Sequence, residues 1–251
     1  MFLLTGYSFA AKKNKPNIVI ILTDDQGYGD LGCYGSDKVK TPHIDQMAKE
    51  GAILSSFYVA APICTPSRAA LMTGSYPQRV DMARGSRHGV LLAVDEKGFN
   101  PKEITIAEVV KSAGYHTGMF GKWHLGDQPV FLPTRQGFDE FFGIPYSLDI
   151  HPFHPKQDRF NFPPLPLLEG EKVIEHDPNP DYLTKRITEK ANDFIDYETR
   201  GKIYPYAISE IDWSVGQILD ELKKQGIDKN TIVLRLGSYI SKKISLRNYT
   251  T

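Results

Sequence analysis

A cysteine and an arginine lie four residues apart in the segment CTPSR, which spans Cys64 to Arg68. The run AALM that follows is typical of a helix, and Pro66 suits a first turn. A thiol at a helix N-terminus lies beside free backbone N–H groups and the positive end of the helix dipole, where a reacting anion is stabilised. Arg68, about one turn further on, reaches back toward the same point. Because a lone cysteine is more often an inert core residue, this pattern alone leaves both interpretations open.

Two aspartates, Asp24 and Asp25, follow directly on an apolar run that predicts a buried strand. The run NIVIILT, residues 17–23, is continuous and rich in β-branched residues, as in a parallel sheet covered on both faces. Ligands collect at the carboxyl ends of such strands. Adjacent carboxylates repel each other unless a cation lies between them, and a hard divalent ion, calcium or magnesium, is the natural partner. A turn or helix cap explains the same pair without a metal.

Lys122 and His124 form a third candidate pair, in the segment GKWHLG. They follow a predicted strand, and in an extended chain residues two apart face the same side. A fixed positive charge beside a group that exchanges protons near neutral pH suits a tetrahedral anion. In a solvated loop the same two residues would carry no chemistry.

The elements that must position these residues alternate between helices and strands. A helix is predicted from Thr41-Pro42 to Gly51, and another from the capping box at Thr105 to Gly114. Strands are expected over 53–59, 115–120 and 231–234, and helices over 184–197 and 207–225. The stretch 129–182, rich in proline and aromatic residues, is predicted to be a long loop that forms the wall of a pocket. The alternation indicates an α/β fold.

Bulk composition excludes several functional classes. The 251 residues, 41% hydrophobic, are enough for one large domain with a substantial core. Thirty Lys and Arg balance thirty Asp and Glu, so no overall field attracts nucleic acid or an anionic membrane. Beyond the N-terminus, no stretch approaches the roughly 20 apolar residues of a membrane span. The two cysteines, Cys33 and Cys64, are too few for a disulfide scaffold, although in an exported protein they could pair with each other.

The first fifteen residues resemble a clipped export signal. MFLLTGYSFAA is a short apolar run that ends in small residues, as at a signal cleavage site, but no basic segment precedes it. We therefore expect residues 1–15 to be a signal peptide and the protein to be periplasmic, extracellular or lysosome-like in location. A frayed N-terminus without a targeting role is the alternative.

Four segments together, CTPSR, DDQGYGDLGCYG, TPHIDQMAKEG and GYHTGMFGKWHLG, resemble the formylglycine-dependent sulfatase family in content and order. The sequence is similar to the arylsulfatase and N-acetylgalactosamine-6-sulfatase branch from about Pro16 to Asn230. The resemblance implies an alkaline-phosphatase-like sandwich with a central, mainly parallel sheet flanked by helices. Residues 16–234 would be part of its catalytic domain.

The resemblance also implies a reaction and a substrate class. A separate formylglycine-generating enzyme would oxidise Cys64 to an aldehyde, whose hydrate has two hydroxyl groups. One attacks the sulfur of a sulfate monoester of a carbohydrate or aryl alcohol, and the other later drives release of sulfate. Lys122 would contact the sulfate, and His151, in the segment PYSLDIHP, is expected to face the substrate.

Further roles are implied for the remaining candidates. Asp24 and Asp25, together with the converted Cys64, would bind calcium, with magnesium as the alternative. Arg68 would fix the hydrate, and His124 would assist proton transfer or hydrogen-bond the hydrate.

Two segments depart from the family pattern. The family continues the strand at 231–234 into Asp-Asn-Gly, which completes the metal site, whereas this sequence reads RLGS and has no carboxylate after Asp228. Between Phe194 and Tyr206 a strand and a sulfate-contacting histidine of the family have no counterpart, and a further lysine and a smaller C-terminal domain are also absent. We therefore expect a catalytic domain that is incomplete at its C-terminus, followed by a divergent basic tail at 235–251.

These departures leave three functions open. The first is a sulfatase, and the second is a catalytically inactive fragment that at most binds anions or a partner. The third is a phosphate-ester hydrolase of the same fold. CTPSR argues against the third, because relatives of that kind generally place serine or threonine at the nucleophile.

Overall fold

The structure, a computed structural model, describes residues 15–195 and 207–237. The predicted signal peptide, the departure between Phe194 and Tyr206 and the basic tail lie wholly or mainly outside these residues. The α/β fold is confirmed, with elements in the chain order β1 (Asn17–Thr23), α1 (Pro42–Glu50), α2 (Cys64–Thr73), α3 (Ile106–Ser112), β2 (Gly118–Lys122), β3 (Glu140–Ile144), α4 (Gln157–Phe160), β4 (Pro166–Glu169), β5 (Lys172–His176), α5 (Pro180–Ile195), α6 (Ala207–Lys224) and β6 (Thr231–Gly237).

The strands form two sheets. β1 and β6 pair in parallel, and in the second sheet a parallel β2–β3 pair is extended by the antiparallel strands β4 and β5. The sequence predicted one central sheet; two are found because no strand of the described residues pairs with both β1 and β2. Side chains link the sheets instead, since Tyr115 Oη donates to the Pro16 carbonyl (2.8 Å) and Lys122 Nζ to the Asp24 carboxylate (2.6 Å).

Helix starts follow the sequence signals only in part. At α3 the predicted capping box is present, because the Thr105 hydroxyl accepts from Glu108 N–H (3.1 Å) and the Glu108 carboxylate from Thr105 N–H (2.8 Å). At α1, Thr41 is the N-cap residue but makes no side-chain cap. The carboxylate of Asp212, on α6, accepts from Ile44 N–H (2.8 Å) instead, so a tertiary contact performs the capping.

An apolar cluster fixes α2 against the segment that follows β2. Ala69 of α2 packs there with Leu91, Trp123 and Leu125, all at most 1% exposed. The Trp123 indole N–H is satisfied by the Phe131 carbonyl (2.9 Å). The two candidate motifs, CTPSR and GKWHLG, are therefore held together by the core.

The strand predicted over 53–59 is wrong. The described chain there is irregular, and Ile53, Leu54, Phe57 and Tyr58 are between 47% and 80% exposed. A strand requires a partner for its backbone groups, and none of the described strands pairs with this segment.

The long loop predicted over 129–182 is also wrong. It contains β3, α4, β4 and β5, each only four or five residues long. Elements so short give too few repeats for a hydrophobic period to be recognised. None of the helices in the described ranges is long and apolar enough to cross a bilayer.

Candidate active site

Cys64 is the first residue of α2 and is fastened to the other candidate motif through its neighbour Thr65. The Thr65 hydroxyl donates to the His124 carbonyl (3.1 Å) and accepts from Leu91 N–H (3.1 Å). The Cys64 thiol is half-buried, and both it and Cys33 are free. The positive end of α2 therefore lies where the CTPSR and GKWHLG segments meet.

Three charged side chains converge at the carboxyl end of β1. The Asp24 carboxylate accepts from Lys122 Nζ (2.6 Å) and from Arg68 Nη2 (3.4 Å), and the Arg68 guanidinium also donates to the Lys122 carbonyl. The Arg68 and Lys122 side chains are each 11% exposed. Burial alone would raise the pKa of Asp24, but the two cations outweigh it and the pKa is lowered. Asp24 thus pairs with both cations at once, and the same two cations also act on the neighbouring Asp25.

The pKa of Asp25 is shifted in the opposite direction to that of Asp24. Its backbone adopts a left-handed conformation, φ 55°, which directs it differently from Asp24. Burial and then the neighbouring Asp24 charge raise the pKa of Asp25; Lys122 and Arg68 oppose this shift, and Asp149 adds to it. The two adjacent carboxylates repel each other, as expected of groups that attract a cation.

His124 is only 1% exposed, and hydrogen bonds fix both its backbone and its imidazole ring. Its N–H donates to the Pro145 carbonyl (3.0 Å) and its ring Nε2 lies 2.8 Å from the Leu91 carbonyl. Because a carbonyl only accepts, the neutral ring carries its proton on Nε2 and a lone pair on Nδ1. Nδ1 is buried and has no partner in the described protein. Burial first, and then Lys122, lower the pKa of His124 to about 3.

The spacing argument for Lys122 and His124 is wrong, although the two residues are close enough to interact electrostatically. The strand ends at Lys122, and His124 has φ 60°, so the chain is not extended through this pair. Proximity arises from a turn rather than from alternation along a strand.

Two polar residues of the site were missed. Ser147 Oγ accepts from Lys122 Nζ (3.0 Å). It follows β3, which pairs in parallel with β2 and places Lys122 opposite Ile144, so recognition of β3 would have predicted it. Gln26 is 7% exposed, and neither of its amide atoms has a partner among the described residues. No sequence signal distinguished Gln26 from the turn residues around it.

His151 is not brought into the cluster. Its Nδ1 accepts from Phe153 N–H (3.2 Å) and its ring contacts the Phe153 ring, with centroids 5.7 Å apart. None of the contacts found for it in the described structure joins it to Cys64 or to the three charged residues. Its expected role toward the substrate therefore remains a prediction.

The residues at the end of β1 fit a hard cation in donor chemistry but not in number. Asp24 and Asp25 supply carboxylate oxygens, which calcium and magnesium prefer. Within residues 15–195 and 207–237 there is no group of three His, Cys, Asp or Glu side chains that could hold a metal. A complete shell would need oxygen ligands from elsewhere.

Arg235 lies in β6, two residues before the strand ends at Gly237. It stands in the RLGS segment, where the sequence lacks the Asp-Asn-Gly that the family pattern predicted. It is paired opposite Ile21 of β1, and its Nη2 donates to the Thr23 hydroxyl (3.1 Å). Its Nε is buried without a partner in the described chain, and burial lowers the pKa of its guanidinium. β6 therefore contributes a cation, not a metal ligand, close to the last residue of β1.

Comparison with known proteins identifies the family. The sulfatase family model matches residues 16–204. Human arylsulfatase A is 50% identical over 62% of this chain, and rat N-acetylgalactosamine-6-sulfatase is 35% identical over 91% of it. This chain spans 30% and 50% of the length of those two relatives.

Solved structures show the same fold. Ps i-CgsB superposes with a TM-score of 0.75 over 93% of this chain and 62% of its own length, at 28% identity. The phosphonate monoester hydrolase of Agrobacterium radiobacter, 14% identical, shares the fold alone, with a TM-score of 0.57 over 89% of this chain and 62% of its own. The fold is alkaline-phosphatase-like, as expected, and the chain belongs to the sulfatase family.

Proposed function

We propose that this chain hydrolyses a sulfate monoester through formylglycine made from Cys64. The observation that carries the proposal is the convergence of Arg68 and Lys122 on Asp24, at the carboxyl end of β1, with Arg68 in the helix that Cys64 begins. When formed, the formylglycine hydrate supplies one hydroxyl for attack on sulfur and a second for release of sulfate.

The side chains of this protein then bind and orient the ester. Arg68 and Lys122 are cations with low exposure, and they would bind the sulfate oxygens and stabilise charge that develops during attack. Asp24 holds both cations in place, and Ser147 fixes the Lys122 ammonium. The N–H groups at the start of α2 add to the positive potential at residue 64.

His124 would act as a hydrogen-bond acceptor. Its bond to the Leu91 carbonyl fixes the proton on Nε2, which leaves the Nδ1 lone pair for a hydroxyl of the hydrate. With its pKa lowered to about 3, the ring is neutral at neutral pH and a weak base. Orientation of the nucleophile therefore explains its position better than storage of a proton does.

Asp24 and Asp25 would hold calcium, with magnesium as the alternative. Bound there, the ion would supply further positive charge for the sulfate oxygens. Two carboxylates are a partial shell, so we expect dissociation constants of roughly 1 mM or weaker. Isothermal titration with calcium measures this dissociation constant, with Asp25→Asn as the control. Micromolar binding that the substitution abolishes would contradict the expectation, because it would require oxygen ligands beyond the two carboxylates.

The substrate and location follow by similarity. One relative is named for N-acetylgalactosamine 6-sulfate ester cleavage, another is an arylsulfatase, and Ps i-CgsB was crystallised with a k-i-k-neocarrahexaose. A sulfated carbohydrate or aryl sulfate is therefore the proposed substrate. A formylglycine-generating enzyme is the proposed partner, and export through residues 1–15 the proposed route.

The test is sulfate release from 4-nitrocatechol sulfate by the chain coexpressed with a formylglycine-generating enzyme and supplied with calcium. We expect turnover that Cys64→Ala abolishes, and a peptide mass that shows conversion of Cys64. Arg235 and the two-carboxylate metal site are the reasons to test the alternative as well, a fragment that binds anions without turnover. Complete conversion of Cys64 without sulfate release would establish that alternative.

A further inference from the structure

A loop that begins at Leu91 and ends at Phe99 is bonded at both ends to the residues around the candidate site. At its start, the Leu91 carbonyl lies 2.8 Å from the His124 ring Nε2, and Leu91 N–H donates to the Thr65 hydroxyl (3.1 Å). At its end, Phe99 N–H donates to the Leu125 carbonyl (2.7 Å). Leu91 and Phe99 are at most 1% exposed. The position of the Leu91 carbonyl therefore decides how the His124 ring is oriented.

A strained turn lies between the two ends of this loop. Asp95 N–H donates to the Leu92 carbonyl (3.2 Å), which closes a four-residue turn with Val94 in its third position. Val94 has φ 53°, a conformation that favours glycine or asparagine and is rare for a β-branched residue. Its side chain is 72% exposed, so packing of that side chain does not explain the conformation. A backbone of this kind persists only where its surroundings enforce it.

The Asp127 carboxylate is bonded directly to the strained residue. Its Oδ2 accepts from Val94 N–H (2.6 Å). The next residue in the chain adds a second bond to the turn, because Gln128 Nε2 donates to the Asp95 carbonyl (3.2 Å). The segment that follows the GKWHLG motif thus holds the turn 92–95 from one side.

Asp127 occupies this position at an electrostatic cost. Its Oδ1 is buried and has no hydrogen-bond partner among residues 15–195 and 207–237. Burial raises the pKa of Asp127 and the nearby Asp95 adds to this shift, whereas the N–H groups of Val94 and of Asp127 itself oppose it. The favourable contacts of this carboxylate are with backbone N–H groups, so it acts on the conformation of the chain.

We infer that Asp127 is a positioning residue for the proposed reaction: it holds the turn 92–95 and thereby keeps the Leu91 carbonyl on the His124 ring. The inference rests on the proposed function, in which the neutral His124 ring orients the hydrate through Nδ1. Without the Asp127 carboxylate, Val94 would relax toward negative φ and the Leu91 carbonyl, three residues away, would shift with it. Within the described chain Asp127 makes no hydrogen bond or ion pair with Cys64, so its effect on the reaction passes through His124.

The structural test is hydrogen exchange measured by NMR on the Cys64→Ala chain, which needs no turnover. In Asp127→Ala we expect Leu91 N–H and His124 Nε2–H to exchange about tenfold faster, because the turn no longer holds the start of the loop. Phe99 N–H, at the other end of the loop, is the internal control and should exchange at an unchanged rate.

Two further substitutions separate the Asp127 contact from the loss of a charge. Asp127→Asn keeps an oxygen that accepts from Val94 N–H, so its exchange rates should stay within about twofold of those of the parent chain. Asp81→Ala removes an exposed carboxylate that pairs with Lys97 of the same loop (2.9 Å) and should change none of the three rates.

Val94→Gly tests the turn itself. Glycine adopts a positive φ without support. In the Val94→Gly background, Asp127→Ala should therefore change the exchange rates by no more than about twofold. This pair of variants also carries the test if Asp127→Ala alone does not fold.

The kinetic test uses the converted chain and 4-nitrocatechol sulfate. Asp127→Ala should lower kcat about tenfold and leave KM within about twofold, because the orientation of the nucleophile is lost while Arg68 and Lys122 remain in place. Asp127→Asn and the double variant with Val94→Gly should each restore most of kcat.

Three results would overturn the inference: unchanged exchange at Leu91 and His124 in a folded Asp127→Ala chain, equal acceleration at Phe99, or a tenfold effect that persists in the Val94→Gly background. A double variant that does not fold would also overturn it, because Asp127 would then be needed for the fold and not for the turn. Failure of the proposed function is distinguishable, since it appears as absence of sulfate release by the converted wild-type chain and leaves the exchange measurement intact.

Discussion

At the scale of single residues, the site depends on Asp24 to hold two cations. A lone buried arginine or lysine is costly, and here one carboxylate offsets part of that cost for both Arg68 and Lys122. An incoming sulfate would compete with Asp24 for the same two cations. Substrate binding and the stability of the empty site therefore depend on the same charges.

Replacing Lys122 with alanine should lower kcat on 4-nitrocatechol sulfate by roughly 100-fold or more, because one of two cations facing the sulfate is lost. Stability should fall by only about 1 to 2 kcal/mol, because Arg68 still pairs with Asp24. Kinetics and thermal melts measure the two effects. Lys190→Ala, which breaks a surface pair with Glu169, is the matched control and should leave kcat unchanged. An unchanged kcat in Lys122→Ala would remove this residue from the mechanism.

The buried His124 should make the protein sensitive to acid. Its pKa is lowered to about 3 in the folded chain, against an ordinary value of 6.5. Between these two pH values the unfolded chain binds a proton that the folded chain excludes, so stability is retained above pH 6.5 and falls as the pH decreases toward 3. The total loss is on the order of a few kcal/mol.

The measurement is urea unfolding at pH 7.5 and pH 5 for the wild type and for His124→Gln, which cannot titrate in this range. The wild type should lose more stability between the two pH values than the variant does. Equal losses in the two proteins would show that His124 does not control this pH dependence.

At the scale of elements, the sequence predicted the strand, helix and capping signals that are local. β1 and α3 were found where expected, and Asp24 directly follows β1 as the sequence indicated, while its role as a metal ligand stays a prediction. Ser147 could not be predicted, because β3 is too short to show a period. The buried His124 ring depends on a left-handed turn, which sequence spacing does not encode.

The start of α2 is an element whose position depends on one side chain. Thr65→Val keeps the shape but removes the hydroxyl, which leaves the His124 carbonyl and Leu91 N–H without their partner. Unpaired buried polar groups cost about 1 to 3 kcal/mol, so we expect a lower melting temperature and a reduced kcat. Thr73→Val, in the last turn of the same helix, is the control because its hydroxyl bonds only locally: it donates to the Ala69 carbonyl (2.8 Å) and accepts from Ser75 N–H (3.2 Å).

The prediction for α2 depends on the difference between these two threonines. A loss of stability in Thr65→Val that does not exceed that in Thr73→Val would show that the contact to the GKWHLG segment does not fix the helix. A loss of stability with unchanged kcat would show that the Thr65 contact stabilises the packing of α2 but does not position the reacting groups.

At the scale of the whole molecule, the described chain exposes an unusual amount of apolar surface. Ile18, Ile232 and Leu234 on the two-stranded sheet are each more than 40% exposed, as are Leu54 and Tyr58 in the segment that was expected to form a strand. Unpaired strands and contiguous apolar surface favour association between copies.

We therefore expect the isolated chain to self-associate, and Leu54→Lys combined with Tyr58→Lys to reduce this. The two side chains are 60% and 80% exposed, so charging them should cost little stability while it disrupts the apolar segment. Sedimentation velocity over a range of concentrations measures the change. Tyr76→Lys combined with Ile104→Lys, at two residues each 69% exposed outside this segment, adds the same charge and is the control for charge alone. If it reduces association equally, net charge and not the 53–58 segment governs association, because any added lysine would then raise the repulsion between copies.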